Sequence, residues 1–216
     1  MPARPSAAVR PSVVHLVRHG RTPSTGKVLP GRAPGLHLAK AGEEQAQRAA
    51  ERLASLDPRP VAVYASPLER TRETAAPIAR ALSLRVRTDP GLLECDFGTW
   101  TGASLARLSK RPAWRTVQGA PSTFRFPDGE SFGEMQVRAF DAVVALTQAH
   151  PGASIVAVSH ADPIKAIVAM AAGVPLDLFQ RLVISPCSIT TLAFTGHGAI
   201  VLSVNSTATL SELVPS

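Results

Sequence analysis

Cysteine is scarce in this 216-residue chain: Cys95 and Cys187 are the only two. A pair cannot build a disulfide framework, and their spacing is not that of metal ligands, so they read as reduced thiols of a cytoplasmic protein. Aromatic residues make up only 5% of the chain, with a single tyrosine. That leaves few stacking platforms for nucleic acid. No apolar run reaches the roughly 18–20 residues that span a bilayer, so no membrane partner is expected. Acidic residues are missing from the first 42 positions, the first being Glu43.

What is present matches those gaps. The chain carries a net charge of +7, and Arg4, Arg10, Arg18, Arg21, Lys27, Arg32 and Lys40 all precede the first acid. The remaining 16 basic residues balance all 16 acidic ones, so the whole excess surrounds the stretch "HLVRHG", His15–Gly20. A local positive field of that kind suits an anionic ligand. The opening "MPARPSAAVRPS" has no apolar centre of the signal-peptide type and reads as a disordered tail over residues 1–12. Residues 13–216 read as one domain, since 45% hydrophobic residues are ample for a core of this size.

Short β-rich runs alternate with longer helical patterns, which is the signature of an α/β fold. Strands are expected at Val13–Arg18, Val61–Ala65, Leu84–Arg87, Ser154–Ser159, Ile189–Phe194 and Ile200–Val204. Their near-continuous apolar character predicts a three-layer α/β/α sandwich with a mostly parallel central sheet. Ala41–Leu56 and Phe132–Ala149 read as amphipathic helices, the second opened by the capping box Ser131-Phe132-Gly133-Glu134. Leu68–Leu82 reads as a helix that Pro77 should kink or interrupt. Asp162-Pro163 offers an N-cap and an N1 proline for a helix through Ala171. The stretch 109–128, rich in proline and basic residues, lacks clean periodicity and is expected to form a lid or loop insertion.

In open α/β sheets ligands gather beyond the carboxyl ends of the strands. Arg18, His19 and Gly20 follow the first strand, and "SPLERTRET" with Arg70 follows the second. "GLLECDFG" with Glu94 and Asp96 follows the third, and "VSHADP" with His160 and Asp162 follows the fourth. Arginine offers a permanently charged fork of donors for phosphate oxygens. One imidazole can carry a phosphoryl group covalently, and a second, protonated, can steady its equatorial oxygens. A carboxylate can protonate a leaving alkoxide and then deprotonate water. Gly20 would let backbone approach the anion without a Cβ in the way. Asp96 is the rival proton donor to Glu94, whereas Asp162 reads as a helix cap. His15, His37, His150 and His197 lack ligand spacing and read as structural or surface residues.

Four of these stretches, in this order, resemble the histidine phosphatase superfamily in its phosphoglycerate-mutase-like branch. The resemblance runs from about Val14 to Asn205 through "LVRHGRT", "SPLERTRETA", "LLECDFGTWTG" and "VSHAD", with "PDGES" (Pro127–Ser131) as a further family stretch. It implies Arg18 and Arg70 as phosphate ligands, His19 as the phosphorylated nucleophile, Glu94 as proton donor and His160 as the second pocket histidine. Gly20, Thr25 and Ala161 are implied as further substrate contacts. Arg21 stands where the family commonly has Glu, Thr25 where it has Asn, and Ala161 where it has Gly.

The implied activity is hydrolysis of small phosphomonoesters through a phosphohistidine, with no cofactor and no metal. Longer mutases of the branch carry paired arginines that grip a substrate carboxylate. The region around Pro121-Ser122 has none, and Lys110, Arg111 and Arg115 are the nearby basic substitutes. A phosphomutase and a catalytically inactive phospho-ligand-binding domain stay open as alternatives, and a homodimer is compatible with the sequence. "GRTPSTGKV" is not a nucleotide-binding P-loop: five residues, not four, separate Gly20 from Gly26, and Val28 replaces the magnesium-holding Ser/Thr.

Overall fold

The computed structural model describes residues 10–209. Six strands form one sheet: β1 Ser12–Arg18, β2 Ala62–Ala65, β3 Val86–Thr88, β4 Ser154–Ser159, β5 Ile189–Thr195 and β6 Gly198–Ser206. Their order is β3-β2-β4-β1-β5-β6. β4 sits centrally with all six residues buried, as expected of a strand covered on both faces. The β1–β4, β2–β4 and β2–β3 pairings are parallel.

The sheet is more mixed than its apolar runs predicted. β5 runs antiparallel to β1 and to β6. The turn between Thr195 and Gly198 is too short for anything but a hairpin, because a parallel return needs a crossover of a dozen residues or more.

Helices cover both faces. On one, Ala50 and Leu53 of α1 (Lys40–Ala54) and Ala75, Ile78 and Ala79 of α2 (Glu69–Ala81) pack on Val17, Val63, Val156 and Val158. α3 (Leu105–Leu108) and α4 (Pro112–Gly119) are short. On the other face, Ala139, Val143 and Leu146 of α5 (Phe132–Gln148) join Ile164, Ile167 and Val168 of α6 (Ala161–Ala171) over Val14, Leu16, Ile155 and Ala157. These alternating strand residues point to opposite faces, as a period of two requires.

Several local expectations changed in three dimensions. Ser12, counted with the tail, begins β1, and its hydroxyl donates to the His150 carbonyl at 3.2 Å. Most of the expected disordered tail, residues 1–9, lies outside the described residues. α2 runs through Pro77 without interruption. Asp162 is not an N-cap: β4 runs out at His160, whose extended backbone (φ −121°, ψ 172°) is itself the cap. α6 therefore begins at Ala161, and Pro163 sits in its first turn, where a missing N–H costs nothing.

The stretch 109–128 holds two-turn α4 and a short 3-10 helix over Pro121–Thr123. Two turns are too few to show a helical period. They are nonetheless packed, because Leu108, Val117 and Phe126 are buried in a cluster with Phe97, Trp100 and Phe132. The predicted capping box on α5 is fully formed.

Candidate active site

β1 and β4 pair with Arg18 opposite Ser159, so the next residues, His19 and His160, leave the sheet side by side. The His19 N–H donates to the Ser159 carbonyl at 3.0 Å. Their rings meet edge to face with centroids 5.3 Å apart. β2, on the other side of β4, is followed by Ser66, whose hydroxyl lies 2.9 Å from His160 Nε2. Two residues of a rigid strand pair thus set the spacing of the imidazoles.

His19 Nδ1 lies 2.8 Å from the Gly20 carbonyl. A carbonyl can only accept, so the proton sits on Nδ1 and Nε2 keeps its lone pair. Burial, Arg18 and Arg70 hold this ring well below its ordinary pKa of 6.5, so it is neutral and nucleophilic. Gly20 does something other than admit an anion. Its N–H is spent on Thr74 Oγ1 at 3.0 Å, and a Cβ there would meet the Gly42 carbonyl oxygen at 2.5 Å. The glycine lets the loop after β1 lie against α1 and fixes the His19 tautomer through its carbonyl.

The two arginines, Arg70 fully buried and Arg18 partly so, have buried donors to spare. Arg70, fully buried on the first turn of α2, donates Nη2 to the Gly31 carbonyl at 2.8 Å, while Nε and Nη1 have no partner. Arg18 donates Nη1 to the Ile184 carbonyl at 2.6 Å and leaves Nε unmatched. His160 Nδ1 is likewise buried without a partner. Unmatched buried donors cost free energy, so several in one place mark a site for an acceptor ligand. These groups are electrostatic neighbours: Arg70 and His19 both depress His160, and Arg18 and Arg70 each feel Glu94.

His160, expected as an imidazolium, is held well below 6.5 by burial and by Arg70, and so is neutral in the unliganded site. The Ser66 hydroxyl can donate to Nε2, leaving an Nδ1–H to point at a ligand without added charge.

Glu94 supplies the opposite chemistry. It is 7% exposed, and burial, with Asp162 nearby, pushes its carboxyl up to about 7. The Cys95 N–H donates to its Oε1 at 3.0 Å. A carboxyl poised there can give a proton at neutral pH and take one back. Asp96, the rival donor, points elsewhere: its Oδ1 accepts from the Gly98 N–H at 3.0 Å and its side chain is 40% exposed.

A cavity of about 420 Å³ opens above these groups. Arg18, His19, Thr25, Glu94 and Ala161 line it, and Arg70 and His160 are buried beneath. Thr25 Oγ1 accepts from the Thr22 N–H at 2.9 Å, so it closes its own turn as well as facing the cavity. Ala161 offers a first-turn N–H of α6, which has no intrahelical acceptor.

Trp114, Val117 and Gln118 of α4 form one wall, which gives the stretch 109–128 its place. Lys110, Arg111 and Arg115 are not in the lining, and Arg111 instead covers the Trp100 ring at 5.5 Å. The additional cation in the lining is Lys165, 3.6 Å from Asp162 and 3.0 Å from Gln180 Oε1. Sequence reading missed Ser66, which heads the "SPLER" stretch, and Lys165, which had no motif to flag it.

A histidine with its Nε2 lone pair free, a cluster of arginine donors and a carboxyl raised to about 7 are the parts that phosphoryl transfer needs at the edge of an α/β sheet. Known proteins agree with that class. The sequence profile of the histidine phosphatase superfamily (branch 1) matches residues 14–207, and the chain belongs to that family. An uncharacterized protein of Mycobacterium tuberculosis is 52% identical over 81 residues, which is 38% of this chain and 39% of that protein. A probable phosphoglycerate mutase GpmB of an Enterobacter species is 33% identical over 184 residues, 84% of each chain. Among solved structures, a mycobacterial glucosyl-3-phosphoglycerate phosphatase superposes with a TM-score of 0.82 at 25% identity. That superposition covers 92% of this chain and 100% of the other.

Proposed function

We propose that this chain is a phosphomonoesterase that hydrolyses small phosphorylated metabolites through a phosphohistidine on His19. The observation that carries the reading is the set of buried donors without partners, Arg18 Nε, Arg70 Nε and Nη1 and His160 Nδ1, around an imidazole with a free Nε2. In the first step Nε2 attacks phosphorus as the ester P–O bond breaks, and Glu94 gives its proton to the leaving oxygen. In the second, water attacks the phosphohistidine, Glu94 takes the water's proton, and inorganic phosphate leaves. Arg18 and Arg70 neutralise the equatorial oxygens, a task that in other phosphoryl-transfer sites falls to metal ions, and the neutral His160 adds an Nδ1–H hydrogen bond. Among the described residues no group of three or more His, Cys, Asp or Glu is placed to hold a metal.

Hydrolysis is favoured over a mutase by the wall beyond the phosphate pocket. A mutase must retain its anionic intermediate, which calls for dedicated cationic contacts. Here Lys165, near Asp162 and bonded to Gln180, faces a lining otherwise rich in apolar side chains such as Leu105, Trp114 and Val183. The two buried cysteines, Cys95 and Cys187, suit the reducing cytoplasm.

Quenching during turnover should yield an acid-labile, base-stable phosphoryl adduct that His19→Ala lacks, and dialysis against EDTA should leave the rate unchanged. With 3-phosphoglycerate, phosphate release should outrun formation of 2-phosphoglycerate. Isomerisation outrunning release, or full activity in His19→Ala, would refute the reading.

A further inference from the structure

The stretch "PDGES" lies outside the phosphate cavity, yet its Glu130 anchors the densest ionic network among the described residues. Arg138 of α5 meets Glu130 with two parallel bonds, Nε to Oε1 at 2.8 Å and Nη2 to Oε2 at 2.9 Å. Arg32 approaches the same Oε2 with Nη2 at 2.9 Å, and the Asp96 N–H donates to it at 3.0 Å. Both guanidinium groups also donate to one piece of backbone, while Arg32 Nη1 lies 3.6 Å from Asp96 Oδ2. Arg32 Nε donates to the Glu94 carbonyl at 2.9 Å, and Arg138 Nη2 reaches it at 3.4 Å. Arg138 Nη1 holds the Gly91 and Leu93 carbonyls at 2.8 and 3.1 Å.

The Glu94 carbonyl belongs to the peptide unit whose other end is the Cys95 N–H. That N–H is the donor on Glu94 Oε1. A trans peptide is planar, so gripping its oxygen fixes the direction of its hydrogen. Cations on the carbonyl also polarise the unit and strengthen its N–H as a donor. We propose that Glu130, through Arg32 and Arg138, positions the acid Glu94 by locking the Glu94–Cys95 peptide. The Cys95 N–H then occupies Oε1 and leaves Oε2 to carry the proton to the leaving group. The three are positioning residues; none of them lines the cavity. The inference rests on Glu94 being the general acid of the proposed reaction.

The test compares burst rates of the full-length enzyme on an alkyl phosphate and on p-nitrophenyl phosphate, whose leaving group needs little protonation. Glu130→Gln, Arg138→Met and Arg32→Met should slow the alkyl burst roughly 10- to 100-fold, the scale of a small misplacement of a reacting group. They should spare the p-nitrophenyl burst and leave competitive inhibition by inorganic phosphate unchanged. Arg138→Lys should recover part of the loss, since an ammonium can still reach a carbonyl. In Arg32→Met the alkaline limb of kcat/KM should move to higher pH, because a lost cation and a weakened N–H both raise a carboxyl pKa. Should Glu130→Gln or Arg138→Met fail to fold, Arg32→Met, at the more exposed end of the network, decides alone.

Equal loss on both substrates, weaker phosphate inhibition or no loss at all would overturn the proposal. Glu94→Gln is the control. If it shows the leaving-group dependence and the network variants do not, the positioning role fails while the phosphatase reading stands. If Glu94→Gln itself lacks that dependence, the acid is another group and both assignments fall.

Discussion

Two pairs of arginines stand on either side of Glu94, and they are used in opposite ways. Arg138 spends every nitrogen on Glu130 and on backbone carbonyls, and Arg32 donates Nε to the Glu94 carbonyl while its Nη2 meets Glu130 as an ion pair without a hydrogen bond. Arg70 is fully buried and Arg18 partly so, and each donates to a single backbone carbonyl while at least one buried donor stays idle. The first pair is neutralised by carboxylates of the protein itself, Glu130 for both and Asp96 for Arg32 as well, and so serves its architecture. The second carries an uncompensated cost that an incoming anion would relieve. The same residue type thus builds a frame and a binding site within one loop's reach, and the partners, not the charge, separate the two.

The sharpest way to break that contrast is to remove one member of each pair. Arg70→Met should lower kcat/KM by roughly a thousand- to a hundred-thousand-fold, the worth of an arginine on a transferring phosphoryl group. Its melting temperature should hold or rise, since idle buried donors leave with the side chain. Arg138→Met should invert the pattern, with a smaller loss of activity and a clear fall in melting temperature. Parallel steady-state kinetics and calorimetry on the two variants check this. Similar profiles for both would erase the distinction.

Glu94 and Glu130 extend the comparison to carboxyl groups. Glu130 is held below its ordinary pKa by Arg138 and Arg32, whereas burial lifts Glu94 to about 7. Glu94→Gln should slow the burst on alkyl phosphates by roughly a hundred- to ten-thousand-fold and p-nitrophenyl phosphate far less. The loss of kcat/KM above pH 7, where Glu94 gives up its proton, should vanish in the variant. A pH–rate profile with an unaltered alkaline limb would move the acid elsewhere.

The smallest effect is on stability. Between pH 4.5 and about 7 the folded protein holds a proton on Glu94 that the unfolded chain has already released. Stability is therefore lost as pH rises through that window, by at most about 3 kcal/mol for one group. Glu94→Gln should remove that slope, so its stability relative to the parent should grow from pH 5 to pH 8. Denaturant melts at the two pH values measure it.

Much of this was legible in the residues themselves. Arg18, His19 and His160 stand at or just beyond the ends of apolar strands, where a buried parallel strand delivers its next residues to the sheet's edge, and Arg70 and Glu94 follow β2 and β3 on the connections that leave the same edge. Ser131 and Glu134 announced the start of α5 because a capping box is a local structure, complete within four residues. Position alone was misleading for Gly20, read as clearance for an anion when its constraint comes from Gly42 of α1. It was misleading for Asp162 too, since where a helix begins depends on where the preceding strand lets go.

The chain by itself determined the alternation of strands and helices, the excess of positive charge around His19, and the chemical types gathered at the strand ends. These come from periodicity and from what each side chain can do alone. Only the tertiary structure decided which donors stay idle and which are spent. It also set the tautomer of His19, the elevation of the Glu94 carboxyl, and the tie from Glu130 to the Cys95 N–H. Most of these depend on groups tens of residues apart in sequence meeting within about 3 Å, where burial and hydrogen bonding set charge and orientation.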